Sequence, residues 1–386
     1  MIVHKCKFNS VYKWKQFVIY FCNMYDLDNN RYLPPSIVDK IIHQKGWTDL
    51  VKTEGYSSQN KPIVSFNMGS GPLKLLGWSQ MHGNETTTTK ALFDLIDTLQ
   101  NTQQGKEMLK KVALKFIFQL NPDGAEDYMR VNAKGIDLNR DAQDKTQAEM
   151  QVLMDVYTAF SPDLCLNLHG QRSIFSSGDT HKPAALSFLA PAADERKSIT
   201  PARIIAMQLI CSMASQLPTS EEWGIGRYDD GFNINCTGDY FTAKGTPTIL
   251  FEAGHFPNDY SRKSTRTLIA TSIFNCIEAF CNNKFTRYAV DEYYTIPENG
   301  NHLRDIEINN VTIVNKLKIT KSTLFVQFKE VLHNGKVEFQ PEFVGIQPNY
   351  IGLKKMKMPA SQAKTPIDLS NSNEEILKSL IAHLDI

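Results

Sequence analysis

The chain has 386 residues, a formal net charge of +1, and 42% hydrophobic against 22% charged residues. That balance is ordinary for a globular protein and leaves no electrostatic footprint for nucleic acid or an anionic membrane surface. The length favours one large domain joined to a smaller one.

Seven cysteines (Cys6, Cys22, Cys165, Cys211, Cys236, Cys276 and Cys281) are spread along the chain without a C-x-x-C pair. The pattern fits reduced thiols in a reducing compartment and offers no thiolate zinc site. The apolar run "FVIYFCNM" is too short to cross a bilayer, and no small-residue cleavage site follows it. The expectation is a cytoplasmic protein whose residues 1–61 form an N-terminal extension.

Short apolar runs then alternate with longer amphipathic ones. "LKLLGWSQ" (73–80) predicts a strand, and Ala91, Leu92, Leu95, Ile96 and Leu99 follow at helical spacing. "VALKFIFQL" (112–120) predicts the next strand, and Met150, Leu153, Val156, Tyr157 and Phe160 the next helix. "PDLCLNLH" (162–169) and "TPTILFE" (246–252) are apolar enough to be strands buried on both faces. Between them "TPARIIAMQLICSMASQL" opens with Thr200 as N-cap and Pro201 at the first helical position. "STRTLIATSIFNCIEAF" supplies a further helix ending near 281. This alternation predicts a sheet covered by helices on both sides. After about 290 the segments are short, β-branched and aromatic ("IEINNVTIVN", "LFVQFKEVL", "VEFQPEFVGI"), and "HNGK" (333–336) predicts a hairpin turn. A small β-rich domain over 290–386, closed by a helix in "SNSNEEILKSLIAHL", is expected there. The cluster Lys354, Lys355 and Lys357 reads as a solvated rim.

Chemistry gathers at strand ends. "HGNE" puts His82 and Glu85 three apart where a strand hands over to a helix, His169 ends "DLCLNLH", and Glu252 ends "PTILFE". Open α/β sheets place ligands at such ends, and a carboxylate closing a buried apolar strand is costly without a task. His82, Glu85 and His169 make a His₂Glu set, the type that leaves a fourth zinc position open for water. Zinc suits these ligands, and Glu252 is a separate carboxylate able to take a proton from that water. The competing reading of Glu252 is a strand-end ion pair or helix cap. "NPDGAEDYMRVNAKGIDLNRD" (121–141) adds Arg130, Asn139 and Arg140 in an irregular stretch. Arginine suits carboxylate and oxyanion recognition. The alternative is that both arginines pair with Asp123, Asp137 or Asp141.

As a set, "HGNE", "NPDG", "MRVNAKGIDLNR", "LNLHG" and "ILFEAG" resemble, in the same chain order, the motifs of the zinc metallocarboxypeptidases, the carboxypeptidase A-like peptidases. The resemblance covers about residues 62–282 and implies a catalytic domain over 62–285. It implies a three-layer α/β/α sandwich with a mixed, largely parallel sheet of about eight strands, besides the small β-rich C-terminal domain. It further implies one zinc ion on His82, Glu85 and His169, with Glu252 as general base and then proton donor. Arg130 would polarise the scissile carbonyl, and Asn139 and Arg140 would hold the terminal carboxylate of a peptide or peptide-like substrate. Neither nucleic acid nor membrane is implied as a partner. Better-known members carry an arginine just before the zinc-binding glutamate, where Asn84 stands here. Tyr228 is the nearest candidate for their substrate-covering tyrosine, Tyr240 lies closer to the specificity pocket, and Gly238 brings no charge to the expected pocket floor. Two other functions compete. One is an N-acyl amino acid deacylase of the aspartoacylase or succinylglutamate desuccinylase type, which shares the metal triad and a β-rich tail. The other is a catalytically silent zinc-binding domain.

Overall fold

The computed structural model describes residue 27, residues 30–357 except 219, 316–317 and 346–348, and the pair 367–368. The expected closing helix near the C-terminus lies outside the described residues.

Chain order runs α1 (Pro35–Gln44), β1 (Val51–Tyr56), β2 (Pro62–Met68), β3 (Leu73–Ser79), α2 (Thr86–Asn101), α3 (Gln103–Leu109) and β4 (Val112–Ile117). Then come α4 (Pro122–Asp127), α5 (Ala148–Phe160), β5 (Leu164–Gly170), β6 (Ser176–Ser177), β7 (Ala184–Leu189), α6 (Pro201–Ala214) and β8 (Gly224–Arg227). The layer closes with α7 (Thr237–Ala243), β9 (Thr248–Ala253) and α8 (Lys263–Cys281). Eight strands form one mixed sheet in the order β1-β2-β4-β3-β5-β9-β7-β8. Its centre, β4-β3-β5-β9, is parallel, while β1, β2 and β7 join antiparallel.

Period-two alternation explains the three layers. Along β3, Leu75 packs with α1, α2, α6 and α8, whereas the next residue, Leu76, packs with α5 and α7 on the other face. β5 does likewise, sending Leu164, Leu166 and Leu168 to one side and Cys165 to the other. Strands covered on both faces need continuous apolar runs, which is why these two were legible. The sheet already begins at Val51, inside the stretch assigned to the N-terminal extension, and α1 packs in the same core.

Two smaller sheets follow: β10 (Asn299–Gly300) pairs with β6, and β11 (Leu303–Asn315), β12 (Lys318–His333), β13 (Lys336–Gly345) and β14 (Ile351–Lys357) assemble as β13-β12-β11-β14, with β15 (Ile367–Asp368) also on β11. The β12–β13 turn holds Asn334 at φ 50° and Gly335 at φ 74°, as a type I′ hairpin requires. The larger of the two docks on the first sheet. Tyr260 packs against Phe328 and Phe339 and donates to Asp305 at 2.9 Å, and the Gln327 amide donates to Ser173 Oγ at 2.7 Å. Among the described residues the cysteines are free thiols, and no helix is long and apolar enough to cross a membrane.

Candidate metal centre

The first two predicted ligands leave β3 through a tight turn. Glu85 N–H donates to the His82 carbonyl at 3.0 Å, and Glu85 is the N-cap residue of α2. The turn is braced by "NPDG". Asn121 Oδ1 accepts from Gly124 N–H at 2.9 Å, and its Nδ2 donates to the Met81 carbonyl at 3.2 Å. Gly83 lies so close to this brace that a Cβ there would meet the Gly124 carbonyl carbon at 2.0 Å. The turn therefore admits no side chain at position 83.

His169 arrives on β5 and Glu252 on β9, the two being register partners on adjacent parallel strands. His82 Nδ1 lies 2.8 Å from Glu85 Oε1, and His169 Nδ1 lies 3.0 Å from Glu85 Oε2 and 3.1 Å from His82 Nδ1. The ligand atoms of these three residues fall within 4.8 Å of one another. Both imidazoles are buried, and Glu85 also accepts the Gly170 N–H at 2.9 Å.

Asp137 orients the first histidine. Its Oδ1 accepts from His82 Nε2 at 3.0 Å, which turns the Nδ1 lone pair inward as metal-ligating histidines require. The sequence reading weighed Asp137 only as an arginine partner; the first residue of "DLNR" was the available signal. Arg130 does pair with Asp137, at 3.0 Å, and also lies 3.5 Å from Glu85.

Electrostatics follow from crowding. Burial opposes charge on His82, yet Glu85 and Asp137 outweigh it and hold the imidazole up at about 9. Burial likewise opposes charge on Glu85, but His82 and His169 pull its carboxyl below the usual range. His169 is lowered by burial. Glu252 is pushed well above its ordinary value by burial and then by Glu85, and its Oε2 has no hydrogen-bond partner. The two imidazole nitrogens and the carboxylate turn to one point, where they share either a proton or a cation. Two nitrogens, one carboxylate and a spare acid suit zinc.

Asn139 and Arg140 follow Asp137 in a short 3₁₀ turn. Asn139 Oδ1 accepts from the main chain and hydroxyl of Thr237, both at 3.0 Å. Arg140 is exposed and donates to the Asn139 carbonyl at 2.7 Å and to Cys236 Sγ at 3.1 Å, and among the described residues no carboxylate pairs with it. Tyr228, just after β8, packs on Phe175; burial, then Glu252 and Glu85, push its hydroxyl far up. Tyr240 is 8% exposed and packs on Phe241, so it belongs to the core more than to a pocket. Gly238 abuts Pro191, while its neighbour Asp239 is a buried acid held up at about 6 by burial. His255 is buried against Tyr260 and contacts no ligand residue.

Fold and site together define an α/β protein with a candidate His-Glu-His metal site at the carboxyl edge of its sheet. The family described as Zinc carboxypeptidase matches residues 49–245, just over half of the chain, and the chain belongs to that family. Glu252 lies just beyond the matched segment. Probable carboxypeptidase 2 of Arthroderma benhamiae is 28% identical over 113 residues, covering 28% of this chain and 21% of that protein. Carboxypeptidase 2 of Trichophyton rubrum is 27% identical over 99 residues, 25% of this chain and 18% of that protein. The match thus spans about a fifth of the length of these relatives. Among solved structures, carboxypeptidase A of Helicoverpa armigera superposes with a TM-score of 0.52 at 13% identity, over 71% of this chain and 81% of that one. A metallo-carboxypeptidase of Pseudomonas aeruginosa in complex with (2-guanidinoethylmercapto)succinic acid gives 0.50 at 18% identity, over 68% and 71%. At these identities the superpositions establish the fold.

Proposed function

We propose that this protein is a zinc-dependent carboxypeptidase that hydrolyses the C-terminal bond of peptides with a free terminal carboxylate. The observation that carries the reading is the convergence of His82 Nδ1, His169 Nδ1 and Glu85 beside the unpaired carboxylate of Glu252. Zinc held by those three residues would polarise the scissile carbonyl and lower the pKa of an attacking water. Glu252 accepts the proton of that water and delivers it to the departing amine. Burial and the neighbouring Glu85 push its carboxyl up in the metal-free protein; a cation held by Glu85 would offset that neighbour and favour the carboxylate that takes the proton. Arg130, half exposed beside Glu85, donates to the oxygen on which negative charge develops. Arg140, free of carboxylates, and Asn139 hold the substrate's terminal carboxylate in a charge-assisted pair. That contact confines cleavage to chain ends. Tyr228 keeps its proton and covers the substrate as a donor.

The test is a panel of C-terminally varied peptides and N-acyl amino acids, assayed with and without a chelator. Chelator-sensitive release of C-terminal residues supports the reading. Turnover of N-acyl amino acids but not of peptides overturns it in favour of a deacylase.

A further inference from the structure

A cavity of about 390 Å³ opens beside Glu85 and Arg130 and runs beneath the C-terminal sheet. Neither Asn139 nor Arg140 lines it, so a substrate anchored there by its carboxylate extends its acyl side into this space. The cavity wall is polar and incompletely satisfied. Arg31 and Arg262 line it; they are 8% and 4% exposed, and Nε of each lacks an acceptor. Gln327, 3% exposed, donates through Nε2 to Ser173 and Asp305, which fixes its amide and leaves Oε1 as an unused acceptor.

The buried carboxylates of this wall are already engaged, and the exposed Glu342 lies 3.9 Å from Arg172. Glu330 pairs with Arg31 at 3.0 Å and accepts from Tyr128; Asp305 accepts from Gln327, Tyr260 and Phe328 N–H. Arg262 is different. Its terminal nitrogens donate to the carbonyls of Ala253 and Gln171; among the described residues no carboxylate pairs with it directly, while Glu330 and Asp259 favour its charge from farther off. Its backbone sits at φ +63°, a conformation that costs energy for a residue with a side chain. A buried guanidinium with no carboxylate in direct contact is itself unfavourable. A ligand anion offsets that cost.

We infer that this cavity is the subsite for the residue on the acyl side of the scissile bond, and that it selects an acidic residue there. Its side-chain carboxylate meets Arg31 and Arg262, and its N–H donates to Gln327. The inference rests on the carboxypeptidase reading above.

The experiment uses the zinc-loaded full chain and peptide pairs acetyl-Ala-Glu-X and acetyl-Ala-Gln-X over several C-terminal residues X. Charge-assisted hydrogen bonds predict that kcat/KM favours the Glu member by about tenfold or more, mainly through KM. Arg262→Gln and Arg31→Gln each bring the ratio to within about threefold, on the same principle. Equal kcat/KM for both members in the wild-type chain overturns the proposal, whether or not the variants fold. If no peptide of either series is cleaved, the carboxypeptidase reading fails instead. Calorimetric binding of free acetyl-Ala-Glu and acetyl-Ala-Gln then decides the cavity, and absence of a preference for Glu overturns it.

Discussion

His169 and Glu252 stand side by side at the carboxyl ends of β5 and β9, register partners whose side chains share one face of the sheet. The pairing puts a metal-ligand candidate next to an acid that has no hydrogen-bond partner at Oε2. Glu252→Gln keeps shape and burial but removes the basic oxygen. Hydrolysis is expected to fall by about 10²- to 10⁴-fold, with zinc content unchanged by elemental analysis. Full retained activity would remove Glu252 from the mechanism.

Asp137 tests the support of the centre. With its carboxylate on His82 Nε2, Asp137→Asn is expected to weaken zinc affinity by about 10- to 100-fold while the thermal transition of the metal-free chain barely moves. Competition with a fluorescent chelator measures it.

Arg140 tests the anchor. Among the described residues its guanidinium bonds to a carbonyl and a thiol. Arg140→Gln should raise KM for free-acid peptides by about tenfold or more, and C-terminal amides should be poor substrates of the wild type. Equal cleavage of acid and amide would place the anchor elsewhere.

The candidate metal site was legible because His82, His169 and Glu252 follow or close buried, mostly apolar strands, where an ionisable residue stands out. What escaped notice lacked that contrast. The edge strand β1, "VKTEGY", is polar and half exposed, so the sheet's start at Val51 did not register. Strand β8, "GIGR", is four residues long with two glycines. Arg31 reaches the cleft from a segment whose text shows no periodicity. The resemblance puts Tyr240 closer to the specificity pocket, but α7 turns its ring toward the core beside Phe241. Helical phase, not distance along the chain, decides that.

Strand β1 also carries an acid-sensitive contact. Glu54 accepts from Lys115 at 2.6 Å, Lys52 at 2.7 Å and Ser65 at 2.7 Å. Burial opposes its charge, but these donors outweigh it and hold the carboxyl down at about 2, against 4.5 ordinarily. A depressed carboxyl stabilises the fold above its unfolded pKa, and that contribution is lost as pH falls. Urea midpoints should therefore drop more steeply from pH 4.5 to 2 in the wild type than in Glu54→Gln. Parallel profiles would show that the cluster adds no stability.

The most direct measurement is anomalous diffraction at the zinc edge from crystals grown with zinc. The account predicts one peak bonded to His82 Nδ1, His169 Nδ1 and a Glu85 oxygen, at about 2.0–2.2 Å from each. A peak at other residues, or none while the three side chains diverge, would contradict it.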